Sequence, residues 1–419
     1  MRFDLLVKGG EVLDPQAGYH GKMDIAVKRG RIEAVEKNIP QDSSFDVIDA
    51  SGQYVTPGLI DMHSHLYRGV TYWGIDADAI GSQSGVTSWA DAGSAGAVTL
   101  QGFRDWVITP SKVRIFVFVN ISCIGLVAQD YELFNPEYCN IDLLKRVVNR
   151  HRDIVVGVKV RAGRSGGAQD LVPLKRARRA ADELELPLMM HISVAPPDLE
   201  TALGFLKPGD ILTHCYTGQT MKMMDSTGKI HPAAKKAWES GVIMDLGHGC
   251  GSLSFESAEA LSSQEYWPHV ISTDLHTLSI HGTNLRDPLK GAGKRDIGSN
   301  GEALSINYQV KGDGKPNFDL LTCMDKLLCL GMPFQEIIRA TTSRPAEVLG
   351  RKGEIGTLKP RAQADITGLV IDRGEYELMD IHGVMRHGRE HVRNTFTVLG
   401  GRRFERVEAP TPPPWIEPV

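Results

Sequence analysis

The sequence lacks the features that mark membrane-spanning, secreted and nucleic-acid-binding proteins. Its 419 residues contain no apolar run of about eighteen residues, the length that a membrane-spanning helix needs. Residues 1–10 are charged and reach glycine early, without the apolar core of a signal peptide. The six cysteines show no C-x-x-C pair and no regular spacing, which favours reduced thiols in a cytoplasmic protein. The net charge of −4 gives no sign of a surface for nucleic acid or for an anionic membrane, so we expect neither as a partner.

Two separated parts of the chain share a pattern of short β-like runs with glycine turns. They are residues 1–56, where Gly9-Gly10 is predicted as a turn, and residues 357–408. Neither part offers enough strands for a stable sheet by itself, so we expect the two to close into one small β-sandwich domain. Residues 409–419 hold five prolines and are predicted to form an extended tail.

The long middle segment, residues 57–356, repeats a unit of an apolar strand followed by a helical pattern. Eight such units over about 300 residues are what a (β/α)₈ TIM barrel needs, and the continuous apolar strands are typical of a parallel sheet buried on both faces. The predicted strands are Gly58–Leu66, Val86–Ala92, Arg114–Ile121, Ile154–Arg161, Pro187–Ser193, Asp210–Tyr216, Gly241–Gly247 and His269–Asp274. In this fold the active site lies at the C-terminal ends of the strands, so chemically active side chains are expected there.

Histidines and an aspartate stand at several of these predicted strand ends. His63 and His65 are separated by one residue and therefore point to the same side of the first strand. His191 ends the fifth strand, His214 the sixth and Asp274 the eighth. A single histidine in an apolar strand is more often a hydrogen-bonded core residue, and an aspartate at a strand end is often a helix cap. Because a barrel brings all these ends together, their combination indicates a metal site.

Lys159 is an unusual residue for the interior of the fourth strand. Lysine is almost never fully buried unless it is paired. One interpretation is that its long side chain reaches solvent at the end of the strand. The other is that its amine is carboxylated, which gives a carboxylate-like group that can bridge two cations.

The H-x-H strand, followed by a lysine, two histidines and an aspartate at later strand ends, resembles the binuclear subtype of the amidohydrolase superfamily. The resemblance implies two divalent cations, one more buried and one more exposed, bridged by N6-carboxylated Lys159 and a hydroxide. The implied ligands are His63, His65 and Asp274 for the buried cation, His191 and His214 for the exposed one, and Lys159 for both. Imidazoles and carboxylate-like oxygens without thiolates suit Zn²⁺ and also accept Mn²⁺, Co²⁺ or Fe²⁺. Asp274 would act as the general acid and base.

The resemblance is uneven across the members of this superfamily. Residues 340–366 look like the last barrel helix and return strand of dihydroorotases, hydantoinases and deacetylases. Dihydroorotases and hydantoinases usually carry an H-x-H-x-R strand end, whereas here Arg68 lies one residue out of that register. We therefore expect a deacetylase that hydrolyses an amide or ester in a small carboxylate-bearing substrate, such as an N-acetyl amino acid or an acetylated hydroxy acid. The alternatives are a cyclic amidohydrolase and a non-catalytic scaffold; scaffolds of this fold lack the ligands that are all present here.

Several further side chains are candidates for contact with a small-molecule substrate. Arg161 ends the fourth strand and Arg164 lies just after it; both are suited to clamp a carboxylate, although carboxylates within the fold are equally good partners. His248, His276 and Tyr67 also follow strands. The glycine-rich segment 277–316 is long enough to be predicted as a functional loop, such as a lid. A homo-oligomer is expected.

Overall fold

The computed structural model describes residues 2–281 and 318–411 of the chain. The first strands are β1 (Phe3–Asp14), β2 (Tyr19–Lys28), β3 (Arg31–Glu36), β4 (Ser44–Asp49) and β5 (Tyr54–Pro57). β1 pairs antiparallel with β2 and parallel with β4 and β5. The turn predicted at Gly9-Gly10 is wrong: β1 continues through it, with a shift of register between Val7 and Gly10 that keeps β2 paired on both sides.

Seven parallel strands follow, and they pair with one another in chain order. They are β6 (Leu59–Ser64), β7 (Val86–Gly96), β8 (Arg114–Asn120), β9 (Val155–Arg161), β10 (Leu188–His191), β11 (Ile211–Thr213) and β12 (Ile243–Asp245). The eighth predicted strand is not a regular strand among the described residues. Its segment instead closes the ring through single parallel bridges, Val270 to Asp245 and Leu275 to Ser64. The predicted barrel is confirmed.

The helices lie between and after these strands. They are α1 (Ala77–Ser84), α2 (Leu100–Phe103), α3 (Ile141–Arg150), α4 (Val172–Leu184), α5 (Leu199–Leu203), α6 (Pro232–Glu239), α7 (Phe255–Ser262), α8 (Thr277–His281), α9 (Leu320–Cys329), α10 (Phe334–Thr341) and α11 (Ser343–Val348). Side-chain caps start several of them: Asn140 accepts a hydrogen bond from the Leu143 N–H, and Asp319 accepts one from the Thr322 N–H. In the part of the chain that the structure describes, no helix has the length and apolar character to span a bilayer.

The last strands return to the first ones. β13 (Ile366–Met379), β14 (Met385–Leu399) and β15 (Arg402–Arg403) extend the sheet, because β13 pairs antiparallel with β5. Both ends of the chain thus contribute to one eight-stranded sheet beside the barrel. The domain boundaries expected at residues 56–57 and 356–357 stay predictions. The predicted loop beyond residue 281 and the proline-rich tail beyond residue 411 lie outside the described residues.

Candidate metal centre

Three predicted ligands meet at the C-terminal end of β6. Oδ1 of Asp274 lies 3.2 Å from Nε2 of His63 and 3.1 Å from Nε2 of His65. The three side chains are buried, and one ligand atom from each lies within 4.8 Å of the others. Asp274 reaches this point because its own backbone N–H donates to the carbonyl of His63, 2.6 Å away, where the eighth segment runs beside β6. Two imidazoles and a carboxylate at this spacing suit a divalent cation.

Two further histidines lie side by side on the adjoining strand ends. His191 ends β10, His214 follows β11, and the centroids of their rings are 4.4 Å apart. Both Nε2 atoms are buried, and within residues 2–281 and 318–411 neither has a hydrogen-bond partner. Buried polar atoms are nearly always satisfied, because leaving one unpaired costs free energy. The pair therefore fits a ligand role, with both nitrogens free to bind a cation.

Lys159 stands among these groups. It lies on β9 with 2% of its surface exposed, and its Nζ is 3.3 Å from Nε2 of His63. Burial lowers the pKa of the Lys159 amine to about 8. Gly93 packs against the lysine stem with φ +94°, and a Cβ on Gly93 would lie 2.7 Å from Cγ of Lys159. Gly93 thus limits where the lysine stem can lie, with the amine beside His63.

Most of the protonation states in the cluster are those that bind metal, with His63 as the exception. Burial and the charge of Lys159 oppose protonation of His63, but the carboxylates of Asp274 and Asp245 raise its pKa, so a cation would compete with a proton for this ring. Burial lowers the pKa of His214 to about 3 and that of His191 well below its usual value, so both imidazoles are neutral. Burial works against ionisation of Asp274, but the charge and hydrogen bonds of His63 and His65 outweigh it and hold the pKa of that carboxyl well below its usual range. Neutral imidazole and ionised carboxylate are the forms that bind metal.

A set of hydrogen bonds behind the histidines orients them. Nδ1 of His63 lies 2.7 Å from Oγ1 of Thr213, which donates in turn to Asp245 over 2.7 Å. Nδ1 of His65 lies 3.0 Å from Oγ of Ser94, and Nδ1 of His214 donates to the carbonyl of Gly247 over 2.6 Å. With Nδ1 engaged, Nε2 of each ring is the atom left for a cation. Sequence reasoning missed these partners, because serine, threonine and aspartate are common at strand ends and no spacing singles them out.

A cavity of about 210 Å³ opens onto the cluster. Besides the candidate ligands other than His214, its lining includes two of the predicted substrate-binding residues, Arg161 and His276, as well as Trp73, Gln219 and Ser252. Arg161 is buried and holds Glu132 in a fork, with Nε 2.8 Å and Nη2 2.5 Å from the two carboxylate oxygens. Arg161 therefore has the carboxylate partner within the fold that was one of its two predicted roles. It also lines the cavity, so contact with a substrate stays possible for it.

The other three predicted substrate contacts lie elsewhere, since none of them is among the described residues that line this cavity. The ring of Tyr67 stacks on Phe103, with centroids 4.6 Å apart. Arg164 is exposed in a short helical turn, Arg164–Gly166. His248 is fully buried behind the cavity.

The barrel and the residues at its strand ends agree with comparisons to known proteins. A family described as "Amidohydrolase family" matches residues 46–104. A deacetylase of Enterococcus faecalis is 32% identical over 409 residues, which cover 97% of this chain and 100% of the relative. The chain belongs to the amidohydrolase superfamily and is a hydrolase, as its sequence predicted.

Two solved structures of other proteins are similar to this chain over most of its length. One, described as an adenine deaminase, is 32% identical and superposes with a TM-score of 0.81 over 96% of this chain and 100% of that one. The other, described as a dihydroorotase, is 28% identical and superposes with a TM-score of 0.79 over 95% of this chain and 97% of that one.

Proposed function

We propose that this hydrolase is a binuclear metal-dependent deacetylase that cleaves an amide or ester bond in a small carboxylate-bearing substrate. The observation that carries the proposal is the pair of buried Nε2 atoms of His191 and His214, which have no hydrogen-bond partner among the described residues, beside the group formed by His63, His65 and Asp274. Similarity to a deacetylase along the whole chain supports the acyl substrate. The cavity volume of about 210 Å³ favours a small substrate.

The ligand set divides into two groups with one shared member. His63, His65 and Asp274 would hold one cation, and His191 and His214 the second; Zn²⁺ is the metal that this donor set suits best. Lys159 would be shared as its N6-carbamate: the neutral amine adds to CO₂, forming an N–C bond and releasing a proton. When bound, the cations supply a water of lowered pKa and polarise the carbonyl of the substrate.

The chain's own residues supply the proton transfers and the orientation. Asp274 is ionised and faces the cluster, so it accepts the proton of the attacking water and returns it to the nitrogen or oxygen of the leaving group. His63 and His65 hold Oδ1 of Asp274, and Oδ2 lies 3.9 Å from Nε2 of His214, within the cluster. Arg161, fixed by Glu132 at the cavity wall, and His276 are the groups we assign to the substrate's carboxylate.

Elemental analysis of protein purified without chelators tests the metal centre. About two metal equivalents per chain are expected for a bridged site. About one equivalent would contradict the bridge and the role of Lys159. An absence of metal, with no activity after addition of Zn²⁺ and bicarbonate, would favour the scaffold.

A substrate panel tests the acyl specificity. N-acetyl amino acids and O-acetyl hydroxy acids should be hydrolysed, with activity lost on chelation and restored by metal. The alternative is a cyclic amidohydrolase, favoured by the structural similarity to a dihydroorotase. Turnover of hydantoins or dihydroorotate in preference to acetylated substrates would establish that alternative, and turnover of adenine would contradict both.

A further inference from the structure

A buried lysine that the proposed mechanism does not use lies behind the cavity. Lys326 on α9 is 3% exposed, and its Nζ lies 2.6 Å from Nε2 of His248 and 2.6 Å from the carbonyl oxygen of Met379 on β13. Lysine is rarely buried without partners, because removing the amine from water costs free energy. The side chain therefore links α9, the segment after β12 and the small sheet.

The contact with Lys326 fixes the state of the His248 ring. The ring stacks on Phe318 with centroids 4.0 Å apart, and its Nδ1 lies 3.0 Å from the carbonyl oxygen of Gly249. Since Nε2 accepts from the lysine, the proton of the neutral ring is on Nδ1 and is donated to Gly249. Lys326 thus selects the tautomer that fixes the orientation of the Gly249 carbonyl.

Gly249 forms the wall directly behind Asp274. Its N–H donates to the carbonyl of Thr273 over 2.9 Å, and its backbone is left-handed with φ +56°. A Cβ on Gly249 would lie 2.7 Å from Oδ2 of Asp274. Rotation of this peptide would therefore change the space available to the carboxylate oxygen.

We propose that Lys326 is a positioning residue of the active site. Through His248 it holds the Gly249 peptide against Asp274 and thereby keeps Oδ2 aimed at the reacting groups. The inference rests on the proposed function, in which Asp274 binds metal and transfers protons. It assigns a role to a residue of α9 that touches neither the cavity nor a candidate ligand.

Four variants of the full chain separate this role from a purely structural one. They are Lys326→Met, His248→Phe, the double variant and Asp325→Ala. Asp325 is the matched control, because it ties the same helix to β14 through the Val392 N–H and Nδ1 of His391, both at 2.7 Å, and does not contact the Gly249 segment. Each variant is loaded with Co²⁺, and its absorption spectrum, its kcat and KM on the best acetylated substrate, and its thermal midpoint are compared with those of the wild type.

The expected result is a changed Co²⁺ spectrum in Lys326→Met at unchanged Co²⁺ stoichiometry. Its kcat should fall about 10- to 100-fold with little change in KM, because a misplaced catalytic group has effects of this size. His248→Phe should show the same change in spectrum and a similar fall in kcat. The kcat of the double variant should be no lower than that of the less active single variant. Asp325→Ala should lower the thermal midpoint while keeping the wild-type spectrum and kcat.

Two results would overturn the inference. A wild-type spectrum and kcat in Lys326→Met would do so, as would independent, multiplying losses of kcat in the double variant. If Lys326→Met does not fold, the spectrum and kcat of His248→Phe decide the question in the same way. A wild-type protein that binds no Co²⁺ would overturn the proposed function and this inference together, whereas a Co²⁺-binding wild type with an unchanged variant spectrum overturns only the inference.

Discussion

The amine of Lys159 and the Nε2 atom of His63 lie 3.3 Å apart in a part of the barrel that water scarcely reaches. Two groups that both carry positive charge when protonated face each other there. Such an arrangement is costly unless an anion or a metal bond intervenes. Substitution of Lys159 is therefore a direct test of the proposed carbamate.

If the proposed carbamate is the shared ligand, Lys159→Ala should bind much less metal than the wild type, because that ligand is removed. Small carboxylic acids such as acetate or propionate should restore part of the activity by filling the space with a carboxylate. Metal analysis and turnover with and without the acids measure both effects. Full metal content and full activity in the variant would contradict the carbamate.

Asp274→Asn should keep its metal but lose turnover. The amide retains an oxygen ligand of the same size, whereas it cannot accept a proton, so kcat should fall by about 10²- to 10⁴-fold. Metal content and steady-state kinetics are measured on the same preparation. A variant with normal kcat would remove Asp274 from the proton transfer.

Gly93→Ala should disturb the metal centre indirectly. The new Cβ would lie 2.7 Å from Cγ of Lys159, so the lysine must shift. Gly331→Ala is a matched control, since Gly331 has φ +93° against +94° for Gly93 but has no described residue within 4 Å of the added atom. Both variants should lose about 1–2 kcal/mol of folding free energy from backbone strain. Only Gly93→Ala should lose metal, and equal metal content in the two would contradict this packing argument.

Glu132→Gln should destabilise the fold by removing the close carboxylate partner of the buried Arg161 guanidinium, since the other carboxylate, that of Asp130, lies 3.9 Å away. Breaking one side of a buried ion pair costs about 3–5 kcal/mol. Denaturant unfolding measures the loss. Glu183→Gln, which removes an exposed partner of Lys145 and Arg179, serves as the comparison and should change stability little. Equal effects of the two substitutions would mean that the Arg161 pair is not desolvated.

His269 should make stability depend on pH. Its Nδ1 accepts the N–H of Met244 over 2.9 Å, and burial, assisted by the charge of Arg344, lowers its pKa to about 4. In the unfolded chain the pKa is about 6.5, so the unfolded state binds the proton more tightly and stability is lost as the pH falls from about 6.5 toward 4. The loss should be about 2 kcal/mol.

Urea unfolding at pH 7 and at pH 4.5 measures this effect. His269→Gln can accept the same N–H without titrating, so it should lose less stability than the wild type over the same pH range. An identical loss in both proteins would show that His269 is not the group responsible.

The barrel and the chemically unusual residues at its strand ends could be predicted from the sequence. His63, His191 and Asp274 stand at the ends of apolar runs, and the topology of a parallel barrel brings such ends together. The eighth strand was predicted as regular and is not, because its pairing is limited to single bridges at Val270 and Leu275. No local pattern encodes that difference.

Side-chain contacts between segments distant in sequence could not be predicted from the sequence. Glu132 lies in a loop 29 residues before Arg161, and nothing in either segment indicates that they pair. His248 was predicted as a substrate contact because it follows a strand, yet a lysine 78 residues later holds its ring behind the cavity. Such partners depend on how loops and helices fold back over the barrel, which residue type and spacing do not specify.

The pairing of β5 with β13 has a consequence for the synthesis of the protein. Thr56 and Thr367 are partners in this pairing, although 311 residues separate them. A ribosome must therefore complete the whole barrel before β5 receives its second neighbour, which takes roughly 15 to 60 s at typical elongation rates. During that time the edge of the nascent sheet presents unpaired N–H and C=O groups to other chains. How long this edge stays open to other chains is thus set by the position of β13 in the sequence, and not by the strength of the finished sheet.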